Sequence, residues 1–166
     1  MQDSFSLQLP FILASNSPRR KEILTQAGFQ FTVLPSDVDE SFSASMSPQE
    51  VPVMLAERKA KAMIENCANS LVLAADTVVI LENEILNKPA DKQDALHMLK
   101  KLSGKTHEVV TGIALASPQG IITAADSAMV RFRELADWEI EWYVRGGASL
   151  DKAGAYGVQD FIGMAG

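Results

Sequence analysis

The segment Phe11-Ile12-Leu13-Ala14-Ser15-Asn16-Ser17-Pro18-Arg19-Arg20-Lys21-Glu22-Ile23-Leu24 restricts the fold most, because an apolar run passes through a short polar turn into a helix start. Phe11 to Ala14 reads as a buried strand. Ser17 suits the N-cap, and Pro18 suits the first helical position because it has no N–H to leave unpaired. Ile23, Leu24 and Ala27 predict an apolar stripe, and Gly28 a C-terminal stop. Arg19, Arg20 and Lys21 then fall in the first turn, at the positive end of the helix dipole, where cations are unfavourable. A bound phosphate would reverse that sign by taking up free N–H groups and guanidinium contacts together. The segment is therefore either an anion site or a set of solvated cations.

The other elements follow from pattern. Phe29 to Leu34 alternates with period two, as a half-buried strand does, and ends at Pro35. Ser36 to Ser47 reads as a long loop with Asp37, Asp39 and Glu40 at its head. Ser47-Pro48-Gln49-Glu50 is a capping-box sequence, predicting a helix from Pro48 to about Cys67 that bends or becomes regular only after Pro52. Leu55, Ala62 and Met63 share one face of it, and their spacing turns Lys59 toward the buried side. Leu71 to Ala75 predicts a second buried strand that meets Asp76-Thr77 and continues as Val78 to Leu81. Glu82-Asn83-Glu84 makes a hairpin turn, Ile85-Leu86 returns, and Asn87-Lys88-Pro89 leads to a helix. Asp91 caps that helix, and Ala95, Leu96, Leu99 and Leu102 form its apolar side up to Ser103-Gly104. Thr106 to Ala116 and Ile121 to Phe132 predict a long antiparallel hairpin turning at Ser117-Pro118-Gln119-Gly120. Asp137 to Val144 predicts a short amphipathic helix carrying Trp138, Ile140 and Trp142. A glycine-rich remainder follows. Strands alternating with helices, plus one hairpin, make a mixed α/β fold.

Composition limits the partners. A chain of 166 residues is expected to form a single domain spanning 1–166, with room for two lobes. A net charge of −6 disfavours a nucleic-acid polymer or an anionic membrane, so any basic site must be local. Cys67 stands alone, which excludes an intrachain disulfide and fits a reducing, cytoplasmic setting. Met1-Gln2-Asp3-Ser4 has no cationic lead of a secretory signal, and Leu71 to Leu81, broken by Asp76, is too short to span a bilayer.

Asp76 is the foremost candidate for chemistry. A carboxylate hemmed by apolar residues needs a nearby cation or metal to hold its charge, and either arrangement suits a base or a ligand. The competing reading is a strand carboxylate satisfied by backbone N–H groups. Glu40 is a candidate second oxygen ligand for a divalent cation, which commonly takes one or two carboxylates with substrate phosphates; the competing reading is a solvated loop acid. Lys59 and Lys88 are candidates for phosphate charge, or snorkelling lysines. His97 and His107 lack metal spacing, and no P-loop, dinucleotide or nucleophile-elbow sequence is present.

Leu13-Ala14-Ser15-Asn16-Ser17-Pro18-Arg19-Arg20, Ala75-Asp76-Thr77, Lys88-Pro89, Leu102-Ser103-Gly104, Thr111-Gly112 and Ala153-Gly154-Ala155-Tyr156-Gly157-Val158-Gln159, in this order and spacing, resemble the Maf family of nucleoside triphosphate pyrophosphatases. The resemblance implies a mixed, twisted sheet flanked by helices, in two lobes about a central cleft. It implies metal-dependent cleavage of a nucleoside triphosphate to monophosphate and pyrophosphate, with Mg²⁺ or Mn²⁺ as cofactor. Asp76 matches the proton acceptor, Ser15, Arg19 and Arg20 the phosphate loop, and Glu40, Lys59 and Lys88 residues handling metal and phosphate. Arg19, Thr77 and Gln159 match the dTTP/UTP-type subgroup, whereas the 7-methyl-GTP type has Trp, Gln and Glu there. The Gln159 amide would pair with a pyrimidine edge or merely satisfy backbone in its turn. A homodimer fits the family, whose chains normally continue beyond the Tyr156-Gly157-Val158-Gln159 region with a segment that closes the fold; the sequence stops at Gly166, as expected of either a truncated chain or one without the usual closing segment. A non-catalytic nucleotide-binding regulator of cell division and a phosphate-ester hydrolase are the competing functional readings.

Overall fold

The structure, a computed structural model, describes residues 7–165. The sequence readings of Met1 to Ser4 and of Gly166 lie outside the described residues. The elements are β1 (Phe11–Leu13), α1 (Pro18–Gln26), β2 (Thr32–Val33), α2 (Val51–Ile64), β3 (Leu71–Leu81), β4 (Glu84–Leu86), α3 (Lys92–Leu102), β5 (Thr106–Ser117), β6 (Gly120–Arg131), α4 (Asp137–Arg145), a 3₁₀ turn (Ala153–Ala155) and α5 (Phe161–Ala165). The strands form one mixed sheet of six, ordered β2-β1-β3-β5-β6 with β4 beside β3. β1 pairs in parallel with β2 and with β3, where Leu13 faces Leu73, while β4 returns antiparallel with Leu86 opposite Val79. The chain divides into two compact units, Met1–Asp76 with Thr111–Ala125 and Thr77–Val110 with Asp126–Gly166.

In the first unit the core is built from small residues. Ile12, Ala14, Val72, Ala74, Ala114 and Ala116 meet Ala56 and Ala60 of α2. Alanine and glycine at the contact let helix and strand backbones approach closely. At Gly112 a Cβ would stand 2.4 Å from the Val53 nitrogen and 2.5 Å from the Pro52 carbonyl carbon, so only glycine fits there. The buried face of α2 comprises Val51, Pro52, Leu55, Ala56, Lys59 and Ala60, repeating at helical spacing.

Pro52 does not bend α2. The helix begins at Val51, and Pro52 stands in its first turn, where its missing N–H had no intrahelical partner to lose. The residues expected to cap it form a turn instead: Glu50 accepts from the Ser47 N–H at 3.3 Å, but the Ser47 hydroxyl bonds Gln49. Ser17 likewise occupies the N-cap of α1 without a side-chain capping bond.

Two further expectations change. The stripe on α1 is not buried as a whole, since Ile23 is 57 % exposed, Ala27 is exposed and Leu24 is only half-buried. Its termination holds: Gly28 adopts φ +83°, and the N–H groups of Gly28 and Phe29 return to the Thr25 and Leu24 carbonyls as a Schellman motif. β2 shrinks to Thr32–Val33 because its partner β1 offers only three residues. Phe29 and Phe31 instead pack edge-on against Phe11 at 5.6 and 6.5 Å.

In the second unit the β3–β4 turn uses Glu82 and Asn83, both at positive φ, as two-residue hairpins prefer. The Asp91 side chain accepts from the Asp94 N–H at 2.9 Å and caps α3 as expected. Leu99, Leu102, Phe132, Ile140, Tyr143 and Ile162 lie in its core. α4 is the short amphipathic helix expected, with Ile140, Tyr143 and Val144 buried and Trp138 and Trp142 exposed. His107 is 1 % exposed, 2.6 Å from the Tyr156 hydroxyl and edge-on to Phe132.

Candidate active site

β1 is the central parallel strand of the first unit. The chain leaves it through α1 to β2 on one side, then passes through α2 to β3 on the other. Reversal of direction at adjacent parallel strands opens a crevice beyond their carboxyl ends, the usual ligand position in open α/β sheets. Ser15 follows the end of β1 there. Asp76 lies beyond Leu73, the last residue of β3 paired to β1.

β3 runs unbroken from Leu71 to Leu81, so Asp76 is an internal strand residue and not a break. Its partner is a side chain, not backbone: Asp76 Oδ1 accepts from the Lys59 ammonium at 2.6 Å. Helical spacing turns Lys59 inward, leaving only 11 % of its side chain exposed, against 15 % for Asp76. The same ammonium lies 2.7 Å from Glu40 Oε1. Lys59 therefore brings an acid from a long loop and an acid from the central sheet to one point. A single ammonium holds two carboxylates there.

Arg20 completes the cluster. It lies three residues into α1, and its Nη1 donates to the Ala75 carbonyl at 2.7 Å and to the Ser15 hydroxyl at 3.2 Å. Burial lowers the affinity of its guanidinium for the proton, and the charges of Asp76 and Glu40 oppose that effect. The Ser15 oxygen also accepts from the Ser17 N–H at 3.2 Å, drawing the β1–α1 turn tight. Arg19, beside Arg20, has no hydrogen-bond or ion-pair partner among the described residues.

Ser15, Arg20, Glu40, Lys59 and Asp76 thus form one contact network within the first unit, with Arg19 on its helix turn. Thr77 follows Asp76 on β3, and alternation along a strand turns it to the opposite face. Lys88 and Gln159 are exposed residues of the second unit. Among the described residues Gln159 makes no hydrogen bond to its glycine-rich turn. Asp160 does, accepting from the Gly157 N–H at 3.1 Å, from the Tyr143 hydroxyl at 2.6 Å and pairing with Lys152 at 3.0 Å. Sequence reasoning passed over Asp160, and its place directly after Gln159 was the only signal. A hollow of about 490 Å³ in this unit is walled by Trp142, Tyr143, Arg145, Asp160 and Phe161, and none of the expected site residues lines it.

Fold and cluster together define an open, mixed α/β protein with an acid–cation site at the switch point of its parallel strands. A sequence profile described as Maf-like protein matches residues 10–166. The chain belongs to this family. A Bacillus anthracis protein called dTTP/UTP pyrophosphatase is 47 % identical over 148 residues, covering 89 % of this chain and 78 % of that protein. A Symbiobacterium thermophilum protein of the same name is 46 % identical over 148 residues, covering 89 % and 76 %. Among solved structures, the Staphylococcus aureus Ham1 protein superposes with a TM-score of 0.52 at 19 % identity, over 77 % of this chain and 72 % of that one, a likeness of fold. No helix among the described residues is long and apolar enough to cross a membrane.

Proposed function

We propose that this chain hydrolyses dTTP and UTP to the monophosphate and pyrophosphate, with Asp76 accepting the proton of the attacking water. The observation that carries this reading is the shared contact of Asp76 and Glu40 with Lys59, beside Arg20 and the turn that opens α1. The names of the relatives at 46–47 % identity supply the substrate class. One oxygen of Asp76 is held by Lys59, which fixes the carboxylate, and the other has no hydrogen-bond partner among the described residues. A water bonded to that oxygen would be oriented and deprotonated as it attacks the α phosphorus. Arg19, Arg20 and the Ser15–Ser17 turn would bind phosphate oxygens by charge-assisted bonds. Thr77, Lys88 and Gln159 are proposed substrate contacts, supported by the resemblance and by the exposure of Lys88 and Gln159.

Charge balance bears on the cofactor. Lys59 and Arg20 are matched by Asp76 and Glu40, so this network alone offers a triphosphate no net positive charge. A divalent cation would reverse that balance. The donors fit Mg²⁺ or Mn²⁺: two carboxylates already meet at one ammonium, and such ions take one or two carboxylates and complete their shell with water and phosphate. Among the described residues no group of three or more His, Cys, Asp or Glu is disposed to hold a metal. Asp76 and Glu40 would hold the ion, which when bound would neutralise phosphate charge and polarise the reacting phosphoryl group.

The test is pyrophosphate and monophosphate release from dTTP by purified protein and by Asp76→Asn. The variant is expected to lose a factor of roughly hundreds in kcat, the scale for removing one positioned catalytic group. Retained pyrophosphate release by Asp76→Asn would remove Asp76 from this role. Orthophosphate as the product would assign the site to phosphate-ester hydrolysis.

A further inference from the structure

Glu40 reaches Lys59 from a loop that has no helix or strand between Pro35 and Glu50, and its side chain is 57 % exposed. A carboxylate on such a segment would sample many positions unless its backbone were held. Arg58, the residue before Lys59 on α2, holds it. The Arg58 Nη1 donates to the carbonyls of Asp39 and Ser41, the latter at 2.8 Å, so one amino group grips the residues on both sides of Glu40. The same two residues are tied to each other. Asp39 Oδ1 accepts the Ser41 N–H at 2.9 Å, and Asp39 Oδ2 accepts the Ser41 hydroxyl at 2.5 Å. These bonds to Ser41, aided by Arg58, hold the Asp39 carboxyl below its ordinary range.

We propose that Arg58 is a positioning residue: by clamping the carbonyls that flank Glu40 it presents the Glu40 carboxylate to Lys59 and Asp76, and so sets the acid pair of the site. Consecutive residues of one helix thereby do two jobs. Arg58 fixes the loop backbone while Lys59 receives the loop carboxylate, so the geometry of both rests on the same turn of α2. The proposal deepens the catalytic reading above and rests on it for its kinetic consequence. The clamp itself does not depend on that reading.

A double-mutant cycle on kcat/KM for dTTP tests it, with Arg58→Met, Glu40→Gln and the pair. Arg58→Met is expected to lower kcat/KM about tenfold to a hundredfold, the scale of a displaced positioning contact. Adding it to Glu40→Gln should cost almost nothing more, because the group being positioned is already lost. Arg58→Lys, whose ammonium can donate to both carbonyls from one nitrogen but stands on a shorter stem, should recover part of the activity. Equal losses from Arg58→Met in both backgrounds would mean a general effect on α2 and overturn the positioning role. Cleavage after Glu40 by a glutamyl endopeptidase gives a second readout that needs no turnover. It should quicken several-fold in Arg58→Met, with the melting temperature nearly unchanged. Unchanged cleavage overturns the clamp even if the protein hydrolyses no nucleotide. A faultless clamp with no effect of Glu40→Gln on turnover would instead sink the catalytic use of Glu40.

Discussion

Lys59 Nζ lies 2.6 Å from Asp76 Oδ1, between a helix and the central sheet strand, with both side chains almost enclosed. Removing one member of an enclosed pair strands the other charge, which costs far more than the pair itself contributes. Lys59→Met is therefore expected to destabilise the protein by roughly 3 kcal/mol in urea denaturation. The double variant Lys59→Met with Asp76→Asn should regain much of that loss. Strict additivity of the two would show that the charges are independent in the folded state.

Gly112 and Pro52 set how closely α2 approaches β5. A methyl group at Gly112 would overlap the Pro52–Val53 peptide, and backbone cannot yield as a flexible side chain can. Gly112→Ala is expected to cost about 1–3 kcal/mol, the range for forced overpacking. It should also lower kcat/KM, because α2 carries Lys59. A variant with wild-type stability and activity would contradict the packing described.

His107 makes stability depend on pH. Burial depresses it from the ordinary 6.5 to about 4, so as pH falls the unfolded chain takes up its proton first. The contribution of neutral His107 is complete above about pH 6.5, declines between 6.5 and 4, and is gone below that. The loss across this window should be on the order of 2–3 kcal/mol. Denaturation at pH 7 and pH 4.5 measures it, and in His107→Gln the difference should shrink. Glu139, held near 2 by Arg133 and the Ala136 N–H, stays ionised throughout the window.

Gln159→Glu is expected to reduce turnover of dTTP relative to 7-methyl-GTP. A carboxylate can only accept hydrogen bonds, whereas an amide matches the mixed donor and acceptor edge of a pyrimidine. The ratio of kcat/KM for the two nucleotides is the readout. An unchanged ratio would show that Gln159 does not read the base.

How much was legible beforehand varies with the residue. The strand–turn–helix around Ser15 to Arg20, the cap at Asp91 and the tight turn at Glu82-Asn83 rest on local backbone chemistry and were readable. The inward direction of Lys59 was readable too, because helical spacing from Leu55 and Ala62 decides it. The stripe on α1 misled because periodicity states which residues share a face, not whether anything covers that face. Nor does amphipathic spacing on α4 say that Trp138 and Trp142 stay exposed while Tyr143 and Val144 are buried.

Sequence alone determined the alternation of strands and helices, the cation-rich helix start and an acid inside an apolar strand, since each depends on neighbours within a few residues. Only tertiary structure decided that Asp76 and Glu40 converge on Lys59, that Arg58 grips the loop, and that α2 presses on Gly112. Those contacts join residues far apart in the chain, where no local pattern records the pairing, and a loop acid has no periodicity to betray its partner.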